Sequence, residues 1–206
     1  SFSGFAQNFE RFHLAYAHPL HVVELVTKHG FTPLARYDEI YDEAVVITQK
    51  MNADPSFEAA LSGSTALVNG SPSHAAFLIE ASDKNIEVTY QPILKDNYQA
   101  VLMDVALNVA EYGVILKSVY DEMLVMRDQV KVFYTTSTKK LVHAFAVSPT
   151  LKGCSADIKQ VLLQMHEDDV GRKIQKRLQC NKIIAFNEED VKKLQTDLSV
   201  CNFEKE

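Results

Sequence analysis

Short apolar segments alternate along this chain with segments of helical periodicity, and this alternation constrains the fold more than any other feature. Eight segments have the length and apolar character of strands: residues 13–17, 31–37, 44–49, 65–69, 86–90, 112–116, 130–134 and 143–147. Eight others space their apolar residues as helices do: residues 19–28, 57–61, 74–83, 98–108, 119–126, 156–166, 170–178 and 188–198. Such alternation is typical of α/β proteins, in which mainly parallel sheets are flanked by helices.

The composition is that of an ordinary globular protein and argues against several classes of function. Hydrophobic residues make up 47% of the 206 residues, but no apolar run approaches the roughly 20 residues that span a bilayer. The net charge of −6 argues against a nucleic-acid partner, and the basic residues between Arg172 and Arg177 are interpreted as a solvated helix face. The first residues do not resemble a signal peptide, which leaves the compartment open because the sequence can describe a mature chain.

Cysteine and histidine spacing gives no signature of an enzyme or a metal site. The three cysteines, at positions 154, 180 and 201, form no Cys-x-x-Cys pair, and their odd number leaves the redox compartment undecided. His18 and His21 stand at i and i+3 with Glu24 near them, which could form half of a zinc site, but no second pair completes it. HExxH, GxSxG, P-loop and GxGxxG motifs are absent from the sequence. We therefore predict no catalytic residue, no metal and no cofactor.

The junction between residues 65 and 81 is the most distinctive strand-to-helix turn. An apolar segment runs into Asn-Gly-Ser-Pro-Ser, and Pro72 suits the first turn of a helix that Ser71 or Ser73 would cap. The unpaired amides of such a helix start, flanked by two hydroxyls, could hold an oxyanion. The alternative is an ordinary capped turn. His74 would either bind the anion directly, which would make the affinity depend on pH, or be merely exposed.

Two extended segments divide the chain into two lobes. Residues 41–48 begin acidic and become continuously apolar, as a buried strand does, and residues 130–137 form the second extended segment. We interpret them as paired crossovers, with lobe 1 made of residues 1–46 and 138–206 and lobe 2 of residues 47–137. A ligand cleft is expected at the hinge.

Four stretches of the chain resemble one family in their order and spacing. They are residues 13–19 and 30–36, the loop of residues 69–74, and residues 97–102 with 110–114. On these stretches the chain is similar to the solute-binding proteins of phosphate and phosphonate ABC transporters, which have the type 2 periplasmic-binding-protein fold. The strand, helix and second strand with which that family begins are missing, so the first lobe is expected to be incomplete at its N-terminus. The loop also reads Ser-Pro-Ser-His where the family has Ser-Thr-Ser-Gly.

The resemblance implies a two-lobed α/β protein of the type 2 periplasmic-binding-protein kind, located in the periplasm or otherwise outside the cytoplasm. It would capture a small oxyanion, phosphonate-like or phosphate-like, and hand it to the membrane permease of an ABC transporter without breaking a bond. The ligand-binding residues predicted from the junction and from the resemblance are Tyr16, His18, Ser71, Ser73, His74, Tyr98, Glu111, Thr135 and Thr136.

Several of these residues also have plainer interpretations. Tyr16 could be a half-buried packing residue, and His18 simply the residue before a proline. Tyr98 stands where the family commonly has a histidine. By resemblance, Glu111 would contact the amino end of an aminophosphonate, although a lone glutamate before a strand is usually solvated. Residues 135–137 are expected at the hinge.

Two other functions stay open on the sequence alone. The same fold could serve as the ligand-sensing input domain of a signalling receptor, with a sensor kinase as its partner. It could also carry an enzyme of the same two-lobed architecture, for which a paired nucleophile and base would have to be found.

Overall fold

The computed structural model describes residues 8–178 and 180–203, apart from the side chain of Glu10. The chain divides into two units. The first unit contains the described residues up to Tyr41 together with Lys140–Asp197, and the second contains Asp42–Lys139 with the described residues from Leu198 onward. The predicted division differs at three places. The first boundary falls after residue 41, whereas one after residue 46 would cut a strand; residues 138–139 belong to the second unit, and so do residues 198–203. Residues 1–7, 179 and 204–206 of the predicted first lobe lie outside the described residues.

Nine strands and eight α-helices follow one another in the described residues, joined in places by short 3-10 turns. The strands are β1 (Leu14–Ala17), β2 (Thr32–Tyr37), β3 (Ala44–Gln49), β4 (Ser64–Leu67), β5 (Gln91–Leu94), β6 (Tyr112–Leu116), β7 (Val130–Thr135), β8 (Ala144–Val147) and β9 (Ile183–Ala185). The helices are α1 (Pro19–His29), α2 (Phe57–Ala60), α3 (Pro72–Asp83), α4 (Tyr98–Ala106), α5 (Lys117–Glu122), α6 (Ser155–Gln164), α7 (Asp169–Arg177) and α8 (Glu188–Leu198). None of the described helices is long and apolar enough to cross a membrane.

Each unit contains one sheet, and the expectation of mainly parallel sheets is wrong. The first sheet has the order β1-β8-β2-β9, with antiparallel pairing throughout. The second has the order β5-β4-β6-β3-β7, in which only β4 pairs in parallel, with β5 and β6. The chain path explains the difference. Because β2 leads out of the first unit and β8 follows the return into it, the two strands run in opposite directions, and β3 and β7 do so in the second unit.

One predicted strand is displaced and one short strand was not predicted. Residues 86–90 alternate apolar and polar side chains, but the strand lies at Gln91–Leu94. The neighbouring strand begins at Ser64, whose register partner is Gln91, so residues 86–90 have no strand beside them in that ladder. Pro92 is tolerated in β5 because β5 lies at the edge of its sheet. Ile183–Ala185 is too short to give a periodic signal.

The core of the second unit forms where α4 packs on the sheet. Strand β3 is buried along almost its whole length, as its continuous apolar sequence predicts, because it lies between β6 and β7. Val101 and Val105 of α4 are fully buried against this sheet. Gly113 of β6 allows the close approach, since a Cβ there would lie 2.8 Å from Val105 Cγ2 and 3.0 Å from Val101 Cγ1. In the first unit, Leu34, Val147, Leu162 and Ile183 are among the buried residues that form a separate core.

Gly113→Ala is therefore expected to destabilise the protein by about 1–3 kcal/mol through overpacking between β6 and α4. Urea unfolding followed by circular dichroism measures the change. Gly153→Ala is the matched control, because a Cβ at Gly153 would meet nothing within 4 Å. Equal stability of the two variants would show that α4 can move away from the sheet without cost.

Candidate functional site

The loop from Val68 to Ser71 connects β4 to α3 and forms a capped helix start, as the sequence predicts. Gly70 takes a left-handed conformation with φ of 62°, which turns the chain. Ser71 is the N-cap, and its Oγ accepts a hydrogen bond from the His74 amide at 3.2 Å. Pro72 occupies the first helical position.

Three hydroxyl groups meet at this helix start, and we refer to Ser71, Ser73 and Tyr98 as the hydroxyl cluster. The Oγ atoms of Ser71 and Ser73 are 3.0 Å apart, and Ser73 Oγ donates to the Tyr98 hydroxyl at 3.3 Å. Both serines are fully buried. Because Tyr98 accepts from Ser73, its own O–H hydrogen is left to donate elsewhere. The predicted residues Ser71, Ser73 and Tyr98 are thus brought together.

The direction of two strands explains why these hydroxyls converge. Strands β4 and β5 pair in parallel, so their carboxyl ends lie side by side and the segments that follow them leave the sheet at the same place. One segment leads to Ser71 at the start of α3. The other leads to Asn97, whose side chain caps α4 by accepting from the Ala100 amide at 2.9 Å, and then to Tyr98. The carboxyl edge of parallel strands is where ligands of α/β sheets commonly bind.

The hydroxyl cluster stays uncharged. Burial raises the pKa of Tyr98 above its ordinary value, and the negative charge of Asp42 raises it further, although hydrogen bonds from Ser71 and Ser73 oppose the shift. The phenol therefore keeps its proton at neutral pH. Asp42 is itself largely buried and precedes β3. The cluster thus offers neutral donors beside one carboxylate.

The imidazole of His74 is buried, and both of its ring nitrogens have partners within the second unit. Its Nδ1 accepts from the Gly70 amide at 3.4 Å, which places the proton on Nε2, and Nε2 lies 2.8 Å from the Tyr90 hydroxyl. The ring also contacts that of Phe203, with centroids 5.1 Å apart. It is 1% exposed, and burial lowers the pKa of His74 to about 4. His74 is therefore a neutral, buried side chain that packs against the loop. The alternative considered in the sequence analysis, that His74 is exposed, is wrong.

Glu111 lies at the amino ends of the parallel strands, whereas the hydroxyl cluster lies at their carboxyl ends. It precedes β6, which pairs in parallel with β4 with Thr65 opposite Tyr112. The Glu111 carboxylate accepts from the Ser64 amide at 2.9 Å and from Ser64 Oγ at 3.3 Å. The structure therefore gives it a role in joining the starts of two strands and does not bring it to the cluster.

Thr135 is the last residue of β7, and Thr136, which follows it, is hydrogen-bonded to β3. Its amide donates to the Ala44 carbonyl at 2.9 Å, and its Oγ1 accepts from the Ala44 amide at 2.9 Å. Thr136 is buried and Thr135 is exposed. These two residues extend the pairing of β3 with β7, and no hydrogen bond that the structure describes joins either of them to the cluster.

Glu80 is a buried carboxylate whose structural role was not predicted. It is buried in α3, and its carboxylate accepts from the Tyr134 hydroxyl at 2.6 Å and from the amides of Ser137 and Thr138 at 2.9 and 3.1 Å. Burial alone would raise the pKa of Glu80, but these hydrogen bonds, with the nearby Lys84 charge, lower it overall. A single carboxylate thus fixes the chain where it leaves the second unit. The signal available in the sequence was a glutamate directly after the apolar run of residues 75–79.

Tyr16 and His18 belong to the first unit. Tyr16 is half exposed on β1 and contacts the rings of Phe145 and Tyr37, with centroids 4.7 and 5.1 Å apart. His18 is buried directly before α1, with its ring centroid 3.9 Å from that of His21. Burial, followed by the charges of His21 and His143, lowers the pKa of His18 to about 2, so the ring is neutral.

Among the described residues no group of three potential ligands could hold a metal ion, and the three cysteines are free thiols.

The family described as the periplasmic substrate-binding protein of phosphonate ABC transporters matches residues 4–191. The chain belongs to this family. The resemblance seen in the sequence is thereby confirmed, and the phosphonate-binding-protein family is one of transport proteins. Membership of this family implies a small anionic ligand, the permease of an ABC transporter as partner and a periplasmic location.

Solved structures show the same fold at low sequence identity. PhnD1 from Prochlorococcus marinus in complex with methylphosphonate has a TM-score of 0.71 at 13% identity, over 95% of this chain and 81% of that chain. A binding component of a phosphonate ABC transporter from Pseudomonas aeruginosa has a TM-score of 0.67 at 13% identity, over 98% and 76%. The aliphatic sulphonate-binding protein SsuA from Escherichia coli has a TM-score of 0.70 at 13% identity, over 95% and 71%. No curated protein sequence matches the chain.

These neighbours confirm the two-lobed periplasmic-binding-protein fold expected for a member of the phosphonate-binding-protein family. The ligand-binding roles of the predicted residues stay predictions.

His74→Gln is expected to flatten the pH dependence of stability. The folded state holds the pKa of His74 at about 4, against 6.5 ordinarily. Between these values the unfolded chain binds more protons, so the free energy of unfolding falls as the pH drops from 6.5 to 4, by about 3 kcal/mol from this residue. Urea unfolding at several pH values measures it for both proteins. Parallel pH profiles would contradict the assignment, since His18 contributes equally to both.

Glu80→Gln is expected to cost about 2–4 kcal/mol, because a neutral amide cannot replace the charge-assisted bonds to the two amides and to Tyr134. Chemical denaturation measures the loss. Tyr134→Phe removes one of these hydrogen bonds and should cost less, and the exposed Glu87→Gln is the control. A loss as small as that of the control would show that water replaces Glu80 at Ser137 and Thr138.

Proposed function

We propose that this chain binds a small tetrahedral oxyanion, phosphonate-like or phosphate-like, at the hydroxyl cluster and delivers it to the permease of an ABC transporter. The observation that carries the proposal is the meeting of Ser71, Ser73 and Tyr98 hydroxyls at the starts of two helices. The family supplies the transport context, and the cluster supplies the chemistry.

Neutral donors suffice for such a ligand. The amino end of α3 carries the positive end of a helix dipole, and hydroxyl groups form short, strong hydrogen bonds to anionic oxygens. The hydroxyls are now bonded to one another, and each can rotate to direct its hydrogen at an oxyanion.

Asp42 gives the site a basis for selectivity. It lies near enough to Tyr98 for its charge to raise the pKa of the phenol. A fully deprotonated dianion would be repelled, whereas a ligand that keeps a proton or carries an amine would be favoured. Methylphosphonate is a suitable first ligand, since it is bound in the Prochlorococcus structure. Sulfate, which has no proton to donate at neutral pH, is the discriminating one.

The rival functions receive less support. A signalling receptor would need a coupled kinase, and no observation on the described residues favours one. An enzyme would need a nucleophile hydrogen-bonded to a base, and the ring of His74 directs its nitrogens at Tyr90 and Gly70 and not at the hydroxyl cluster. Turnover of a bound phosphonate would overturn the transport proposal.

Ser73→Ala and Tyr98→Phe are each expected to weaken methylphosphonate binding about tenfold or more, because each removes one hydrogen bond to a charged group. Isothermal titration calorimetry measures the affinity, with phosphate and sulfate for comparison. Ser62→Ala is the control, since its exposed hydroxyl bonds only to carbonyls of its own turn. Unchanged affinity in both cluster variants would place the ligand elsewhere.

A further inference from the structure

A cavity lies within the first unit, beside α7. Its volume is about 550 Å³, and its lining residues are His166, Arg172, Gln175, Lys176, Cys180 and Asn181. All of them belong to the first unit, whereas the hydroxyl cluster belongs to the second. The cavity is thus built from different elements and falls in the size range of small-molecule sites.

The lining of this cavity is rich in hydrogen-bond donors, and none of its six residues is acidic. Arg172 and Lys176 stand at i and i+4 on α7, so both cations lie on one side of the helix. Gln175 and Asn181 add amide N–H groups. A surface of this kind is complementary to a ligand with several anionic oxygens.

Gln175 supplies an independent indication of a ligand. Its side chain is 2% exposed, and among the described residues its Nε2 atom has no hydrogen-bond partner. An unpaired buried amide is costly, so such groups are usually satisfied by something. Because Gln175 lines the cavity, an acceptor bound there would satisfy it.

Arg172 is already held in position. One of its guanidinium nitrogens donates to the carbonyls of His166 and Glu167 at 3.0 and 2.8 Å, and the other lies 2.5 Å from the Asp169 carboxylate. Asp169 offsets part of this charge. Lys176 makes no ion pair within the described part of the chain, so it supplies the uncompensated charge.

We propose that this cavity is a second anion site, which binds a ligand carrying one or more phosphoryl groups through Lys176, Gln175 and Arg172. The volume exceeds the needs of a single phosphate, which favours a larger phosphorylated anion. The site does not depend on the proposed transport ligand, because no residue is shared with the hydroxyl cluster.

The test is titration of the whole chain with inorganic pyrophosphate, followed by backbone amide NMR. The amide resonances of residues 171–178 are expected to shift in a saturable manner. Lys176→Glu should weaken this binding at least tenfold, and Gln175→Leu should weaken it several-fold. Lys173→Glu is the matched control, with the same change of charge on the same helix outside the cavity lining, and should change affinity less than twofold.

Three outcomes would overturn the proposal. The α7 resonances could fail to shift, or Lys173→Glu and Lys176→Glu could weaken binding equally, which would indicate diffuse attraction to a basic helix. Loss of the α7 shifts in the double variant Ser71→Ala and Ser73→Ala would assign them to the hydroxyl cluster. Persistence of these shifts in the double variant would support the second site even if the transport proposal failed. If Gln175→Leu does not fold, the comparison of the two lysine variants decides.

Discussion

The parallel pairing of β4 with β5 is the constraint on which the candidate site depends. Because the two strands run in the same direction, the loop to α3 and the loop to α4 leave the sheet together, and Ser73 reaches Tyr98. The same rule separates Glu111 from this site, since β6 also runs parallel to β4 and Glu111 stands at its beginning. Strand direction therefore decides which of the polar residues share a location. Antiparallel pairing in this part of the sheet would have placed them at opposite edges.

Local features of the fold were predictable from sequence, and features set by distant partners were not. The cap at Ser71, Pro72 in the first turn and the buried strand β3 each depend on a few consecutive residues. The strand predicted at residues 86–90 lies at 91–94 because its position depends on where β4 begins. The antiparallel pairing depends on where the chain crosses between the units. No window of sequence contains that information.

In the candidate site, too, features set by neighbouring residues were predictable and features set by distant partners were not. Ser71 and Ser73 follow from the turn itself, but Tyr98 entered only through the family resemblance. The direction of the His74 ring could not be inferred, because Tyr90 and Phe203 fix it from elsewhere in the chain. Glu80 was missed although its charge directly after an apolar run is visible, since its partners at Tyr134 and Ser137 come from a distant strand end.

Backbone amides of the second unit already bind one anionic group, the carboxylate of Glu80, and this limits where a free anion can bind. The amides of Ser137 and Thr138 donate to the Glu80 carboxylate, so a free oxyanion would have to displace a buried charge to reach them. The hydroxyls of the cluster bond to one another, and Ser71 Oγ also accepts from the His74 amide; the bonds between hydroxyls can be exchanged for stronger ones to an anion. Replacing hydrogen bonds between neutral hydroxyls costs little free energy, whereas displacing the buried Glu80 carboxylate costs much more. The fixed carboxylate therefore gives the departing chain its position, and the neutral hydroxyls are the groups available for reversible capture.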